Sequence, residues 1–200
     1  MIATYLIAHR IVWLVAQVLY LYAPLLLSAA LSGFVMKLDW FRWLKYPIDA
    51  HLTLRGRRVF GDSKTWRGVA VAIVGCSVGA AVQKYAIGSA AGSLALCDYS
   101  QLHVLSFGSA MGFSAMLGEL PNSFTKRQLN IAPGKTAHGG RAVIFYVWDQ
   151  IDLLTFSWPA LSCWIDPTLP LVLTSVGITL LLHPLVSLIG YVTGARRSAR

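Results

Sequence analysis

The chain has 200 residues, of which 56% are hydrophobic and 12% are charged, and its mean hydropathy is +0.60. This composition is not typical of a soluble globular domain, and several apolar runs approach or exceed the ~18 residues of a membrane-spanning helix. The net charge of +9 could indicate a nucleic-acid partner, but most of the basic residues lie in loops between apolar runs, where membrane topology also requires them. The sequence therefore predicts a single-domain integral membrane protein, residues 1–200, with no nucleic-acid partner.

Five apolar segments are each predicted to form a transmembrane helix. They comprise residues 11–36, 69 to about 82, 102–118, 142–165 and 169–194. The fourth helix is expected to break near Pro159, and residues 85–100 fit either a loop or a re-entrant segment. Close helix packing is expected at small residues in these segments, namely Gly75, Gly79, Gly108 and Gly112. The predicted fold is an all-α bundle of about five transmembrane helices.

The distribution of lysine and arginine predicts the orientation of the bundle. Eight of these residues lie in the loop 37–68, four in the loop 119–141 and three in the C-terminal tail, whereas Arg10 and Lys84 lie on the opposite side. Because cytoplasmic loops carry an excess of basic residues, the heavily basic side is predicted to be cytoplasmic. The protein is thus expected to be a multi-pass protein of the cell (inner) membrane, with its N-terminus outside and a polar cavity open to the cytoplasm.

Carboxylates beside or within the apolar runs are the first indication of a functional site, because such residues are costly in a membrane. Glu119 ends the third run, and Asp149 and Asp152 lie inside the fourth. Asp149 and Asp152 are three residues apart, so they share a helix face, roughly 10–15 Å from the start of the helix. They would repel each other unless a cation or a proton lay between them, and Mg²⁺ favours such oxygen ligands. The predicted metal ligands are Asp149, Asp152 and Glu119; a structural pair with Arg or Lys and a proton relay are the alternatives.

Two basic motifs predict phosphate binding. The first, FGDSKTWRG at residues 60–68, places Lys64, Thr65 and Arg67 at the start of the second helix, where the helix dipole also favours an anion. It does not match the Walker A pattern GxxxxGK[ST]. The second motif, SFTKRQ, brings a hydroxyl and two cations together. Its candidate residues are Ser123 as a phosphate ligand and Lys126 and Arg127 as catalytic residues.

The alternative explanation for both motifs is a basic cytoplasmic loop that contacts anionic lipid, but this alternative does not account for the adjacent carboxylates. Bases that neutralise phosphate, next to carboxylates that hold a metal, are typical of phosphoryl or nucleotidyl transfer. The chain has no obvious Ser-His-Asp order or GxSxG elbow. A general base is unnecessary if the nucleophile is a phosphate, whose second pKa is near ~6. The residues therefore indicate a lipid phosphate attacking a nucleotide phosphate, with Asp149, Asp152, Lys126 and Arg127 as the catalytic group.

Four of the five histidines and all three cysteines are predicted to be structural. The three cysteines lie far apart and are expected to be small buried hydrophobic residues: Cys76, Cys97 and Cys163. Hydrogen-bonded structural roles are expected for His51, His103, His138 and His183.

Three motifs in order, FGDSKTWRG, GELPNSFTKRQL and DQID, resemble those of the CDP-archaeol synthases, membrane enzymes related to the phosphatidate cytidylyltransferases. The sequence PID at 47–49 looks like the family's PxD, and His183 matches a family histidine. The resemblance implies transfer of CMP from CTP to an isoprenoid glycerol-ether phosphate, with Mg²⁺ and release of pyrophosphate. It implies that Asp149 and Asp152 hold the metal. The residues implied to contact phosphates are Lys64, Arg67, Lys126 and Arg127, with Thr65 and Ser123 as hydroxyl ligands.

The chain departs from the family pattern at three positions. Glu119 stands where many members have Asp, Ser187 where archaeal members have the Asn of HxxxN, and Gln128 where a second Arg is usual. These departures leave the reaction class intact and leave a diacyl or another phospholipid acceptor open. The rival interpretations are a transporter that binds a coupling cation or proton at Asp149 and Asp152, and a catalytically silent membrane scaffold. The oligomeric state is not indicated.

Overall fold

The structure, a computed structural model, describes residues 2–87, 92–133, 135 and 139–192. Within these residues the chain forms five α-helices: α1 Ile2–Lys37, α2 Trp66–Val82, α3 Val104–Gln128, α4 Gly140–Leu161 and α5 Leu169–Val192. Short elements fill the connections: the 3₁₀ turns Arg42–Leu44 and Gly92–Leu94, the π-helical turn Gln83–Ile87, and a hairpin of β1 Thr53–Leu54 and β2 Arg57–Arg58. The predicted all-α architecture with five helices is confirmed.

Each helix packs against its neighbour in the chain, and α5 packs back on α1, so the helices form a closed ring. The glycines predicted to allow close packing lie at these contacts. A side chain at Gly75 or Gly79 of α2 would overlap α1, and one at Gly108 or Gly112 of α3 would overlap the backbone of α2. Small residues thus set how closely α1, α2 and α3 approach one another.

The outer surface of the bundle favours a membrane location. The core lies toward the end of the bundle where α3 begins, around Phe107, Met111, Trp158 and Leu161. Large apolar side chains elsewhere point outward, for example Leu6, Ile11, Phe113, Val143 and Leu181. Of the described helices, two are long and apolar enough to cross a membrane by length and composition, at Thr4–Lys37 and Trp66–Tyr85. The number of helices that span the membrane stays a prediction.

Helix α3 continues ten residues beyond its predicted end at residue 118 and contains Pro121. The predicted loop 119–141 was therefore wrong over its first part. Proline removes one backbone N–H but does not stop this helix. The helix ends instead at Gln128, before Asn130, which has φ +59°, and the N–H of Ile131 donates to the Lys126 carbonyl at 2.9 Å. This is a Schellman-type end, which satisfies carbonyls of the last turn.

The other boundaries differ for a similar reason, since a charge or a proline ends a hydropathic run without ending a helix. Helix α1 begins at Ile2 and includes Arg10, and α4 continues through Pro159, so the predicted break there was wrong. The end of α4 differs in the opposite direction, because the helix ends at Leu161 before the predicted end at residue 165. Cys76 is buried as predicted, whereas Cys163 is exposed, because it lies beyond the end of α4. The predicted roles of His138, of the His183 and Ser187 side chains and of the basic tail lie outside the described residues.

Candidate active site

The extension of α3 puts the second basic motif on a helix face. With helical spacing, residues at i, i+3, i+4, i+7 and i+8 lie on one side. In α3 these positions are Glu119, Asn122, Ser123, Lys126 and Arg127. Asn122 and Ser123 are buried. The polar residues expected from a loop therefore form one stripe, at the end of the bundle away from the apolar core.

The two aspartates of α4 meet this stripe. The Nδ2 of Asn122 donates hydrogen bonds to Asp149 Oδ1 at 2.6 Å and to Asp152 Oδ2 at 3.0 Å. Lys126 forms an ion pair with Asp149 and also lies over the ring of Phe145, 5.5 Å from its centroid. The Asp149 side chain is 43% exposed, whereas Asp152 is 6% exposed. One carboxylate is thus accessible from the end of the bundle and the other is buried against α3.

The first basic motif reaches the same stripe through Lys64, which forms an ion pair with Glu119. The backbone holds Lys64 in place, because its carbonyl accepts a hydrogen bond from Ile48 N at 2.9 Å beside the bridge between Pro47 and Thr65. Thr65 caps α2, and its Oγ1 accepts a hydrogen bond from Gly68 N at 3.3 Å. The Thr65 hydroxyl therefore serves the helix cap, and its predicted phosphate contact stays a prediction.

Asp49 organises the loop that carries this motif. The carboxylate is 3% exposed and accepts hydrogen bonds from Arg58 at 2.7 Å and from the backbone N–H groups of Phe60 and Gly61, each at 2.9 Å. Burial by itself would raise the pKa of Asp49, but these three donors outweigh it and hold the pKa well below its ordinary range. Asp49 of the PID segment thus fixes the backbone at the start of the first basic motif, and His51 N donates a further hydrogen bond to Asp49 Oδ1 at 3.2 Å.

The two predicted arginines lie outside the Lys–carboxylate cluster. Arg67 is buried and donates to Asp39 Oδ1 at 2.8 Å and to the Trp40 carbonyl at 3.1 Å, which ties the start of α2 to the end of α1. Its hydrogen bond lowers the pKa of Asp39. Arg127 donates to the Phe60 carbonyl at 3.2 Å and to the Ile131 carbonyl. Both guanidinium groups hold backbone in place, so their direct contact with phosphate stays a prediction.

Among the described residues, no three His, Cys, Asp or Glu side chains gather into a metal-binding group. The predicted set of Asp149, Asp152 and Glu119 does not form such a group. Glu119 forms an ion pair with Lys64, as Asp149 does with Lys126, and a metal role for Glu119 stays a prediction. Asp149 and Asp152 do come together, and they share one amide donor. This pair fits a hard cation held by two carboxylates, with the other ligands supplied by water and substrate phosphates.

Asn122 is the central residue that sequence reasoning missed. It was assigned to a loop, where its side chain has no defined partners. Continuing the helix through Pro121 would have placed it between Glu119 and Lys126 on the polar face.

A helical bundle with an apolar outer surface and a charged, partly buried cluster at one end is typical of a membrane protein with a functional site in that cluster. Residues 11–198 match the family model of the CarS-like CDP-archaeol synthases, and the chain belongs to this family. The match confirms the family indicated by the three motifs and its enzyme class, a CTP-dependent transferase.

Individual relatives agree with this assignment. The chain is 33% identical to a CDP-archaeol synthase of Halobacterium salinarum over 156 residues, 75% of this chain and 81% of the relative. It is 34% identical to one of Methanoculleus marisnigri over 158 residues, 75% of this chain and 87% of the relative. A solved structure described as an intramembrane enzyme for archaeal membrane lipids biosynthesis has a TM-score of 0.59 at 22% identity, covering 82% of this chain and 89% of its own. This likeness supports the fold.

Proposed function

We propose that the protein transfers CMP from CTP to a lipid phosphate and releases pyrophosphate, with an archaeol-type ether lipid phosphate as the acceptor. The relatives, which are named CDP-archaeol synthases, support this choice. The observation that carries the proposal is the meeting of both motif lysines, Lys64 and Lys126, with carboxylates along one face of α3. A diacyl or another phospholipid phosphate is the alternative acceptor.

Lys64 and Lys126 can exchange their carboxylate partners for phosphate oxygens of the substrate. Lys64 and Lys126 are each paired with a carboxylate that is partly exposed at the end of the bundle, so phosphate oxygens from solution can compete for them. Before substrate binds, Glu119 and Asp149 neutralise the two cations and lower the cost of keeping them half-buried. When the triphosphate binds, the lysines contact its oxygens and the site gains charge-assisted hydrogen bonds.

Asp149 and Asp152 are the residues that would hold Mg²⁺. When bound, Mg²⁺ would neutralise the triphosphate and the charge that develops on pyrophosphate. Asp149 is exposed enough to reach a solvated ion, while Asp152 is fixed by Asn122 and by packing against α3. The residues of the chain thus supply one accessible and one rigid carboxylate.

The nucleophile is an oxygen of the lipid phosphate, which is largely ionised at neutral pH and requires no general base. It attacks the α-phosphorus of CTP, a new P–O bond forms, and the bond to the β-phosphate oxygen breaks as pyrophosphate leaves. Catalysis then depends on alignment and charge neutralisation. Lys64 and Lys126 stabilise charge on the phosphates during this displacement.

The surroundings of the cluster favour a lipid substrate. Trp40, Trp43 and Trp66 are exposed at the same end of the bundle, on the loop 38–65 and the first turn of α2. Tryptophan is enriched in the headgroup layer, so this end is expected to lie at a membrane surface. The positive-inside distribution predicts that this surface is cytoplasmic, so that CTP enters from solution and the lipid phosphate enters sideways from the inner leaflet.

The reaction can be tested directly. Protein purified in detergent is given CTP, Mg²⁺ and a panel of ether- and ester-linked lipid phosphates, and mass spectrometry detects the CDP-lipid. Product is expected with CTP in preference to ATP, chelation is expected to stop the reaction, and Asp98→Asn, far from the site, serves as the matched active control. If no lipid phosphate gives product and the protein instead moves a cation or proton across liposomes in an Asp152-dependent way, the transporter interpretation replaces this one.

A further inference from the structure

Asn122 lies at the centre of the acidic cluster, where its amide nitrogen is hydrogen-bonded and its amide oxygen is not. The residue is 2% exposed, and its Nδ2 bonds to both Asp149 and Asp152. Its Oδ1 is buried and has no hydrogen-bond partner among the described residues. Buried polar atoms are normally paired, so an orphaned carbonyl oxygen beside two carboxylates calls for an explanation.

The geometry of the side-chain amide explains the unpaired oxygen of Asn122. A half-turn about the last side-chain bond exchanges the oxygen and nitrogen of an asparagine without moving its backbone. In the turned position, Oδ1 would face Asp149 and Asp152, where three oxygens repel one another unless a cation lies between them. Oxygen atoms of carboxylates and side-chain amides are the ligands that hard divalent cations take.

We propose that Asn122 is a ligand of the cation site, which it serves in two orientations. Without a cation, its Nδ2 holds the two carboxylates together; with one, the amide turns and Oδ1 joins them as a third protein oxygen. This inference rests on the proposed binding of Mg²⁺ at Asp149 and Asp152. It assigns one ligand to α3 and two to α4, so cation binding draws together the helices that carry the second basic motif and the aspartate pair.

A purely structural asparagine predicts an effect of opposite sign. If the amide only donates hydrogen bonds, those bonds compete with the cation for the carboxylate oxygens. Replacing Asn122 with an apolar side chain of similar size would then leave cation affinity unchanged or raise it. If Oδ1 is a ligand, the same replacement lowers the affinity, and an aspartate that restores the oxygen recovers it.

The test measures Mn²⁺ binding to the full-length protein in detergent, without nucleotide, by electron paramagnetic resonance. We expect Asn122→Leu and Asn122→Ala to weaken binding by about tenfold or more, the size of effect seen when metal-site residues are altered. Asn122→Asp is expected to bind close to wild type. Gln83→Leu is the matched control, because Gln83 is another buried, hydrogen-bonded amide at the far end of the bundle, and it should bind as wild type does.

Thermal unfolding and gel filtration establish which variants are folded, and the alanine variant replaces the leucine variant if the latter does not fold. Wild-type or tighter binding by the apolar variant, or weak binding by Asn122→Asp, would overturn the ligand role while leaving the proposed reaction standing. If the wild-type protein binds no Mn²⁺, or if its Mn²⁺ binding is unchanged in Asp149→Asn, the metal part of the proposed function fails, and the role of Asn122 fails with it.

Discussion

Gly118 of α3 lies directly against the backbone of Asp152 in α4. A side chain on Gly118 would overlap the carbonyl oxygen of Asp152 and crowd the backbone of Leu153. Asn122 follows Gly118 by one helical turn, so this contact sets the separation at which its Nδ2 reaches two carboxylates. The closeness of α3 and α4 is therefore a condition of the acidic cluster.

Enlarging Gly118 should damage the site through packing alone. Gly118→Ala is expected to destabilise the protein by about 1–3 kcal/mol and to reduce product formation, because the added methyl group has to push α4 away. Gly177→Ala is the matched control, since a side chain there meets nothing within 4 Å. Thermal unfolding in detergent and turnover measure the two effects. Wild-type turnover in Gly118→Ala would show that the helix separation does not control the site.

Asp149→Asn and Asp152→Asn are each expected to lose activity by orders of magnitude while staying folded, because the carboxylates offset the charge of a bound cation. Removing one of two neighbouring carboxylates also removes the repulsion between them, and this change by itself should not lower the free energy of unfolding of the metal-free variants. CDP-lipid formation at several Mg²⁺ concentrations and thermal unfolding are the measurements. Near-normal turnover by Asp149→Asn at limiting Mg²⁺ would contradict a metal role.

Glu119 and Asp149 should respond differently to Mg²⁺, because Asp149 shares the Asn122 amide with Asp152, whereas Glu119 forms no metal-binding group with the two aspartates. Glu119→Gln is expected to change the affinity for CTP, since it releases Lys64, while the Mg²⁺ concentration for half-maximal activity stays close to that of wild type. Asp149→Asn should raise that concentration about tenfold or more. A similar rise in Glu119→Gln would restore Glu119 to the metal ligands predicted from the sequence.

Asp49→Asn should loosen the loop that carries the first motif. Breaking its buried contact with Arg58 is expected to cost about 3 kcal/mol at neutral pH. Because the pKa of Asp49 in the folded protein lies below its ordinary value of 3.8, the stabilisation is complete above about pH 4 and is lost as the pH falls further. Thermal unfolding between pH 3 and pH 7 should show the difference from wild type shrinking at the acidic end.

The matched control is Asp62→Asn, because Asp62 bonds to the same Arg58 with its side chain 73% exposed. An exposed pair contributes little, so this variant should lie within about 0.5 kcal/mol of wild type at every pH. Equal losses for the two variants would argue against Asp49 as the residue that fixes the loop.

The predicted orientation can be checked with a native thiol. Cys163 is exposed beyond the end of α4, on the side opposite the acidic cluster. A membrane-impermeant maleimide should label it in intact cells. In a Cys97→Ser, Cys163→Ser background, Arg55→Cys at the hairpin tip and Lys135→Cys should be labelled only after the cells are permeabilised. Labelling of position 55 or 135 from outside would reverse the topology and place the site away from cytoplasmic CTP.

Much of this protein follows from local features of the chain. Apolar run length indicates a membrane protein, and the glycine spacing in α2 and α3 indicates their close packing. The three-residue spacing of Asp149 and Asp152 places both on one face of α4. Each of these inferences depends on helical periodicity or hydropathy within a single segment, and so the sequence alone was sufficient.

The tertiary structure decided which charges meet. Nothing local distinguishes Lys64, which pairs with Glu119, from Arg67, which is buried against Asp39. Likewise, hydropathy ended α3 at its first charged residue, although the helix continues and brings Asn122 between the two aspartates. These pairings depend on the register of one helix against another, which is set by backbone contacts such as that of Gly118 with Asp152. Such a contact joins residues far apart in the chain, so it cannot be recognised from the residue pattern of either segment alone.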